Sequence, residues 1–128
     1  MNVMEVLLGK LKDGNVLVTP VRSKKFIVEH ISEVEVTLLI GKAWRITIPA
    51  HYLNGIPTFL KGMDWIEIAA THSNVCKPGT LEAYMNYYKP ERRGISNYVA
   101  SILEYAEIVD IDRKLPSKVK LSKNYKFT

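Results

Sequence analysis

Two runs rich in β-branched residues, Val34 to Ile40 and Ala43 to Ile48, are separated only by Gly41-Lys42. That is the spacing of a tight antiparallel hairpin, and glycine in first place suits a type II′ turn. In Trp44-Arg45-Ile46-Thr47-Ile48, alternation sets Trp44, Ile46 and Ile48 on one face and Arg45 and Thr47 on the other. A chain with this hairpin must build a sheet around it and cover one side, leaving the other side available.

The rest of the first half reads in the same way. Met4 to Leu8 is predicted as a strand, followed by a hairpin turn at Lys12-Asp13-Gly14-Asn15 and a returning strand from Asn15 to Thr19 that Pro20 ends. Phe26 to His30 and Trp65 to Ala70 complete six candidate strands. Between them, Ala50 to Asn54 is expected to form a short helical turn that Gly55 and Pro57 stop, and Lys61-Gly62-Met63-Asp64 reads as a turn. Thr71 to Gly79, with Ser73, Asn74 and Pro78, reads as a linker.

Beyond the linker the period becomes helical. Thr80 is a candidate N-cap for a helix from Leu81 to about Tyr88, stopped by Lys89-Pro90. Ile95, Tyr98, Val99, Ile102, Leu103 and Ala106 fall on one face of a second helix. Val109 to Ile111 and Val119 to Leu121 then read as two short strands around Pro116-Ser117. The expected fold is α+β: a β-rich portion over residues 1–73, as a small barrel or sheet, and a helical portion over residues 79–128 ending in a basic hairpin. A segment of about 50 residues buries too little surface to be stable alone, so the two portions should pack together as one unit.

With 47% hydrophobic and 24% charged residues, the 128-residue chain has the composition of a globular domain. Its longest apolar candidate, Val34 to Ile48, is broken by Glu35, Lys42 and Arg45, well short of the roughly 18 uninterrupted residues of a membrane span. The opening residues lack a secretion-signal pattern, and the single cysteine, Cys76, excludes an internal disulfide. A cytoplasmic location without membrane partners is therefore expected. Eighteen Lys and Arg against thirteen Asp and Glu give a charge of +5, which favours polyanionic partners. No acidic residue follows Asp112, whereas Arg113, Lys114, Lys118, Lys120, Lys123 and Lys126 all do. These residues suit a phosphate-binding surface, and equally a solvated tail.

The run from Gly41 to Pro49, followed by Gly62-Met63-Asp64-Trp65-Ile66-Glu67-Ile68, resembles the AbrB/SpoVT-type DNA-binding fold. In that family a basic, alternating strand ends in Ile-Pro and leads through a short helix and a Gly-x-Asp turn to a closing strand. The resemblance covers residues 41–68 and departs in the longer stretch from Pro49 to Asp64, with its additional Pro57. It implies an intertwined homodimer that grips DNA through Lys42 and Arg45. An ordinary hairpin of a small β-barrel accounts for the same residues.

From Thr80 onward the order of two helices and a hairpin resembles the end of a winged-helix domain. In that arrangement the second helix enters the major groove and the hairpin rests on phosphates. The resemblance implies contacts from Arg92 and Arg93 just before the second helix, an exposed reading face of Ser96, Asn97, Ala100 and Ser101, and a wing carrying Lys114, Lys118 and Lys120. Asn97 is suited to adenine. The resemblance is incomplete: only two helices precede the wing, Glu104 and Glu107 would repel phosphates, and a helical hairpin capping the β-portion explains the pattern as well. Tyr84, Tyr87 and Tyr88, spaced i, i+3, i+4, read as core rather than as base-stacking rings.

No catalytic constellation is complete. His72 and Cys76, with His30 or His51, lack a specific nucleophile or zinc spacing. The pairs Asp110/Asp112 and Asp64/Glu67 lack the lysine expected after the second acid of a nuclease core. No cofactor, metal site or enzymatic activity is expected. The sequence points to a non-catalytic DNA-binding protein, RNA being possible, that acts as a small transcriptional regulator or architectural factor and forms a homodimer. Its nucleic-acid contacts are expected from Lys42, Arg45, Arg92, Arg93, Asn97, Lys114, Lys118, Lys120 and Lys123. The alternative is a protein-interaction module or complex subunit with a solubilising basic tail.

Overall fold

A computed structural model describes residues 2–69, 78–86 and 95–126. Its elements are α1 (Val3–Lys10), β1 (Val16–Val18), β2 (Lys25–Ile31), β3 (Glu35–Ile40), β4 (Trp44–Pro49), α2 (Ala50–Leu60), β5 (Ile66–Glu67), α3 (Leu81–Asn86), α4 (Ile95–Tyr105), β6 (Val109–Asp112) and β7 (Lys118–Leu121). The class is α+β. A four-stranded antiparallel sheet, β1-β2-β3-β4, stays open rather than closing into a barrel, and a smaller sheet has the order β5-β7-β6.

The central hairpin forms as its alternation dictates. β3 pairs with β4 from Glu35↔Pro49 to Ile40↔Trp44, leaving a three-residue turn, Gly41-Lys42-Ala43, one residue longer than expected. Gly41 takes the positive φ of +65° that the turn needs. Leu38, Ile40, Ile46 and Ile48 are buried on the inner face, and Thr37 hydrogen-bonds Thr47 across 3.0 Å on the outer one. In β2, Val28 pairs with Leu38 but His30 with Thr37, so Glu29 is the extra residue of a bulge. The bulge resets the alternation, and Ile31 joins Phe26 and Val28 in the core.

The chain begins with a helix, where Met4 to Leu8 reads as a strand. Asn2 and Glu5 form a reciprocal capping box: Asn2 Oδ1 accepts from the Glu5 N–H at 2.9 Å, and Glu5 Oε1 from the Asn2 N–H at 3.2 Å. Val3, Met4 and Leu7 then bury on one side. The Gly14 turn consequently joins a helix to β1, with Gly14 at φ +94°.

α2 also departs from expectation, running through Gly55 and Pro57 to Leu60. Leu53, Ile56, Pro57 and Leu60 repeat at i, i+3, i+4, i+7 and are all buried, so packing outweighs the hydrogen bond that proline removes. Gly55 is required for close approach: a Cβ there would lie 2.4 Å from the Tyr84 hydroxyl, which donates to the Tyr52 carbonyl at 2.8 Å. The Tyr84 ring stacks on Phe59, with centroids 4.9 Å apart, and so locks α3 onto α2.

Thr80 caps α3 as expected, its Oγ1 accepting from the Ala83 N–H at 3.1 Å. The second half of that predicted helix, with Tyr87 and Tyr88, lies outside the described residues. Of the strand expected from Trp65 to Ala70, the described residues, which stop at Ala69, form the two-residue β5, which pairs with β7 rather than joining the first sheet. The core is continuous across both portions: Phe26 of β2 meets Tyr98 of α4 edge to face at 5.1 Å, and Ser101 of α4 donates to the Val18 carbonyl of β1 at 2.6 Å. Among the described residues, no helix is long and apolar enough to cross a membrane.

Candidate nucleic-acid interface

In an antiparallel meander the β1–β2 and β3–β4 turns lie at the same end of the sheet, centred about two strand spacings, roughly 10 Å, apart. The first turn is organised by Thr19. Its N–H donates to the Lys24 carbonyl at 3.0 Å, its Oγ1 accepts from the Lys24 N–H at 3.0 Å, and its carbonyl accepts from Ser23 at 3.2 Å. Thr19 is buried, whereas Arg22, Lys24 and Lys25 are exposed. The second turn carries exposed Lys42 and, at its exit, Trp44, which is 40% exposed. Neither turn contains an acidic residue.

The β6–β7 loop reaches the same place. Arg113, the first residue after β6, donates from Nε to the Pro20 carbonyl at 3.0 Å. Its two terminal nitrogens clasp Glu104 at 2.8 and 2.5 Å, and this carboxylate raises the guanidinium pKa. Asp112 accepts from the Lys114 N–H at 3.0 Å, so the carboxylates bordering this loop are engaged while Lys114 projects. Three loops thus carry Arg22, Lys24, Lys25, Lys42 and Lys114 to one end.

The opposite end of the sheet is acidic. Glu33 and Glu35 flank the β2–β3 turn, and Asp13 lies beside it, accepting from the Ile31 N–H at 2.9 Å and pairing with His30 Nδ1 at 3.2 Å. These two interactions, the backbone bond being the larger effect, hold the Asp13 carboxyl below its ordinary pKa.

The residues expected from sequence to touch nucleic acid therefore separate. Lys42 and Lys114 share the basic end. Arg45 projects from the outer face of the edge strand β4, one rung in from the turn, and is paired with Glu29 at 2.7 Å, which raises its pKa. Lys118 and Lys120 lie opposite Asp112 and Asp110 in the β6–β7 register, Lys118 also faces Glu67 of β5, and Lys120 pairs with Asp64 at 3.3 Å. The wing face is thus a mixed-charge ladder rather than a positive surface. Lys123 follows β7 at the other end of that hairpin from Lys114. Arg92 and Arg93, with His72 and Cys76, lie outside the described residues.

The expected reading face of α4 is corrected. Ser96, Ala100 and Ser101 are 0%, 0% and 8% exposed, and Asn97 is partly buried, because α4 is wedged between β1 and β6. A helix covered on these positions does not present them to a groove. Sequence reasoning misses Arg22, Lys24 and Lys25 because they stand between two strands, with nothing local to link them to Lys114. Among the described residues no three His, Cys, Asp or Glu side chains gather as a metal site would require. An open groove of about 320 Å³ lies elsewhere, between α1 and the C-terminal segment, where Lys10 and Glu107 pair at 2.7 Å. Comparison with family models, curated proteins and solved structures returned no match to this chain.

Proposed function

We propose that this protein binds nucleic acid without catalysis, as a small regulatory or architectural factor of the cytoplasm, and that its three-loop end does so by gripping phosphates. The observation that carries the reading is the Arg113–Pro20 bond, which brings the β6–β7 loop beside the β1–β2 turn and so gathers Arg22, Lys24, Lys25, Lys42 and Lys114. Five exposed cations on three loops, with the bordering carboxylates engaged, form an electrostatic footprint for a polyanion. The element order α2-β5-α3-α4-β6-β7 adds support, because α2 supplies the third helix that the winged-helix resemblance lacked and β5 extends the wing sheet. Since α4 is covered, backbone contact takes the place of helix-in-groove reading. We propose a homodimer as well, for which the outer edge of β4 in the open sheet is the candidate seam.

The experiment is retention of labelled oligonucleotides across a salt series. Binding should weaken steeply between low and physiological salt. Absence of retention at low salt would overturn the reading in favour of a protein-interaction module.

A further inference from the structure

We infer that the nucleic acid taken by this end is single-stranded, with one base stacked on the Trp44 indole and the flanking phosphates held by Lys42 and by Lys24. The inference rests on the proposed function and deepens it. A duplex offers its sequence in grooves, and the helix that the fold would send into a groove buries Ser96, Ala100 and Ser101. What the end does offer is a large aromatic ring, 40% exposed, two residues from Lys42 on the same turn. A single strand needs that combination: a π-face for an unstacked base and cations along the backbone on either side.

The placement follows from the sheet. Trp44 pairs with Ile40 at the last rung of β3–β4, so the ring stands at the rim rather than mid-sheet. Phe26 pairs with the same Ile40, so Lys25, paired with Val18, turns to the outer face, and Lys24, across from Thr19, returns to the Trp44 side. A backbone crossing from the β3–β4 turn to the β1–β2 turn on the Trp44 side therefore passes Lys42, the indole and then Lys24 over roughly 10 Å. Val21 and Leu115, exposed beside these cations, widen the apolar surface for an unpaired base.

The chain has two tryptophans, so Trp65→Phe leaves Trp44 as the sole indole reporter in the full-length protein. Titration with oligo-dT at low salt should quench its emission, and oligo-dT should bind more tightly than a hairpin duplex of equal charge. Trp44→Ala should weaken oligo-dT binding about 5- to 100-fold, while Trp44→Phe retains most of it. Unfolding curves of both variants identify any weakening that comes from misfolding, in which case the Phe variant decides. Equal affinity for duplex and single strand, without quenching and with parental affinity in both the Phe and Ala variants, would overturn this inference and leave nucleic-acid binding standing. Retention on phosphatidylserine vesicles with no retention of either oligonucleotide would overturn both.

Discussion

Arg113 donates from Nε to the carbonyl of Pro20 across 3.0 Å, a hydrogen bond between residues 93 positions apart. With the Glu104 clasp, it fixes where the β6–β7 loop stands relative to the β1–β2 turn. Lysine keeps the charge but cannot fill both roles from one planar group. Arg113→Lys and Arg113→Ala are therefore both expected to weaken oligonucleotide binding several-fold, with a stability loss of only about 1 kcal/mol because the ion pair is half-exposed. If Arg113→Lys binds as the parent does, charge rather than placement is the role of Arg113.

The hydroxyl of Tyr84 over Gly55 gives a second expectation. Alanine favours a helix over glycine by about 1 kcal/mol, yet Gly55→Ala should destabilise by about 1–3 kcal/mol, because its Cβ meets that hydroxyl. In a Tyr84→Phe background the hydroxyl is gone and the next ring atom is at 3.7 Å, an ordinary van der Waals distance, so the same change should become neutral or stabilising. Denaturant midpoints of the four proteins in this cycle measure the coupling.

Two serines of α4 should behave oppositely. Ser101 holds the helix to β1 through its bond to the Val18 carbonyl, and Ser101→Ala should cost about 1 kcal/mol. Ser96 Oγ is buried without a hydrogen-bond partner among the described residues, so Ser96→Ala should be neutral or stabilising by about 1 kcal/mol. Thermal unfolding of the two variants distinguishes them.

How much of the fold is legible in the sequence varies by element. The β3–β4 hairpin and the core face of α4 follow from periodicity sustained over several turns or pairs. α1 does not, because the run Met4 to Leu8 is too short to show its period, and the deciding signal is the Asn2–Glu5 capping box before it. α2 is hidden by Gly55 and Pro57, whose helix-breaking tendency is outweighed by burial and by Tyr84. The basic C-terminal segment is legible as charge but not as a surface: the carboxylates that face Lys118 and Lys120 are set by strand register. Lys114 joins the β1–β2 turn only through the tertiary bond from Arg113 to Pro20.

The depressed Asp13 carboxyl makes a pH prediction. A carboxylate whose folded pKa lies below its unfolded value contributes stability that is present above the unfolded pKa and is lost as pH falls through the folded one. Unfolding midpoints should therefore fall on going from about pH 6 to about pH 3, and Asp13→Asn should fall less over the same interval. Equal falls for the two proteins would place the acid sensitivity elsewhere.

The central claim is that the three-loop end neutralises phosphates. Its most direct measurement is the salt dependence of oligo-dT affinity for the parent, for a Lys24→Gln/Lys25→Gln/Lys42→Gln/Lys114→Gln variant, and for a Lys118→Gln/Lys120→Gln/Lys123→Gln control. The slope of log affinity against log salt should become shallower by about 0.7 for each phosphate that the first variant no longer neutralises, and stay near the parent's in the control. A first variant with the parent's slope, or a control whose slope flattens as much, would contradict the account.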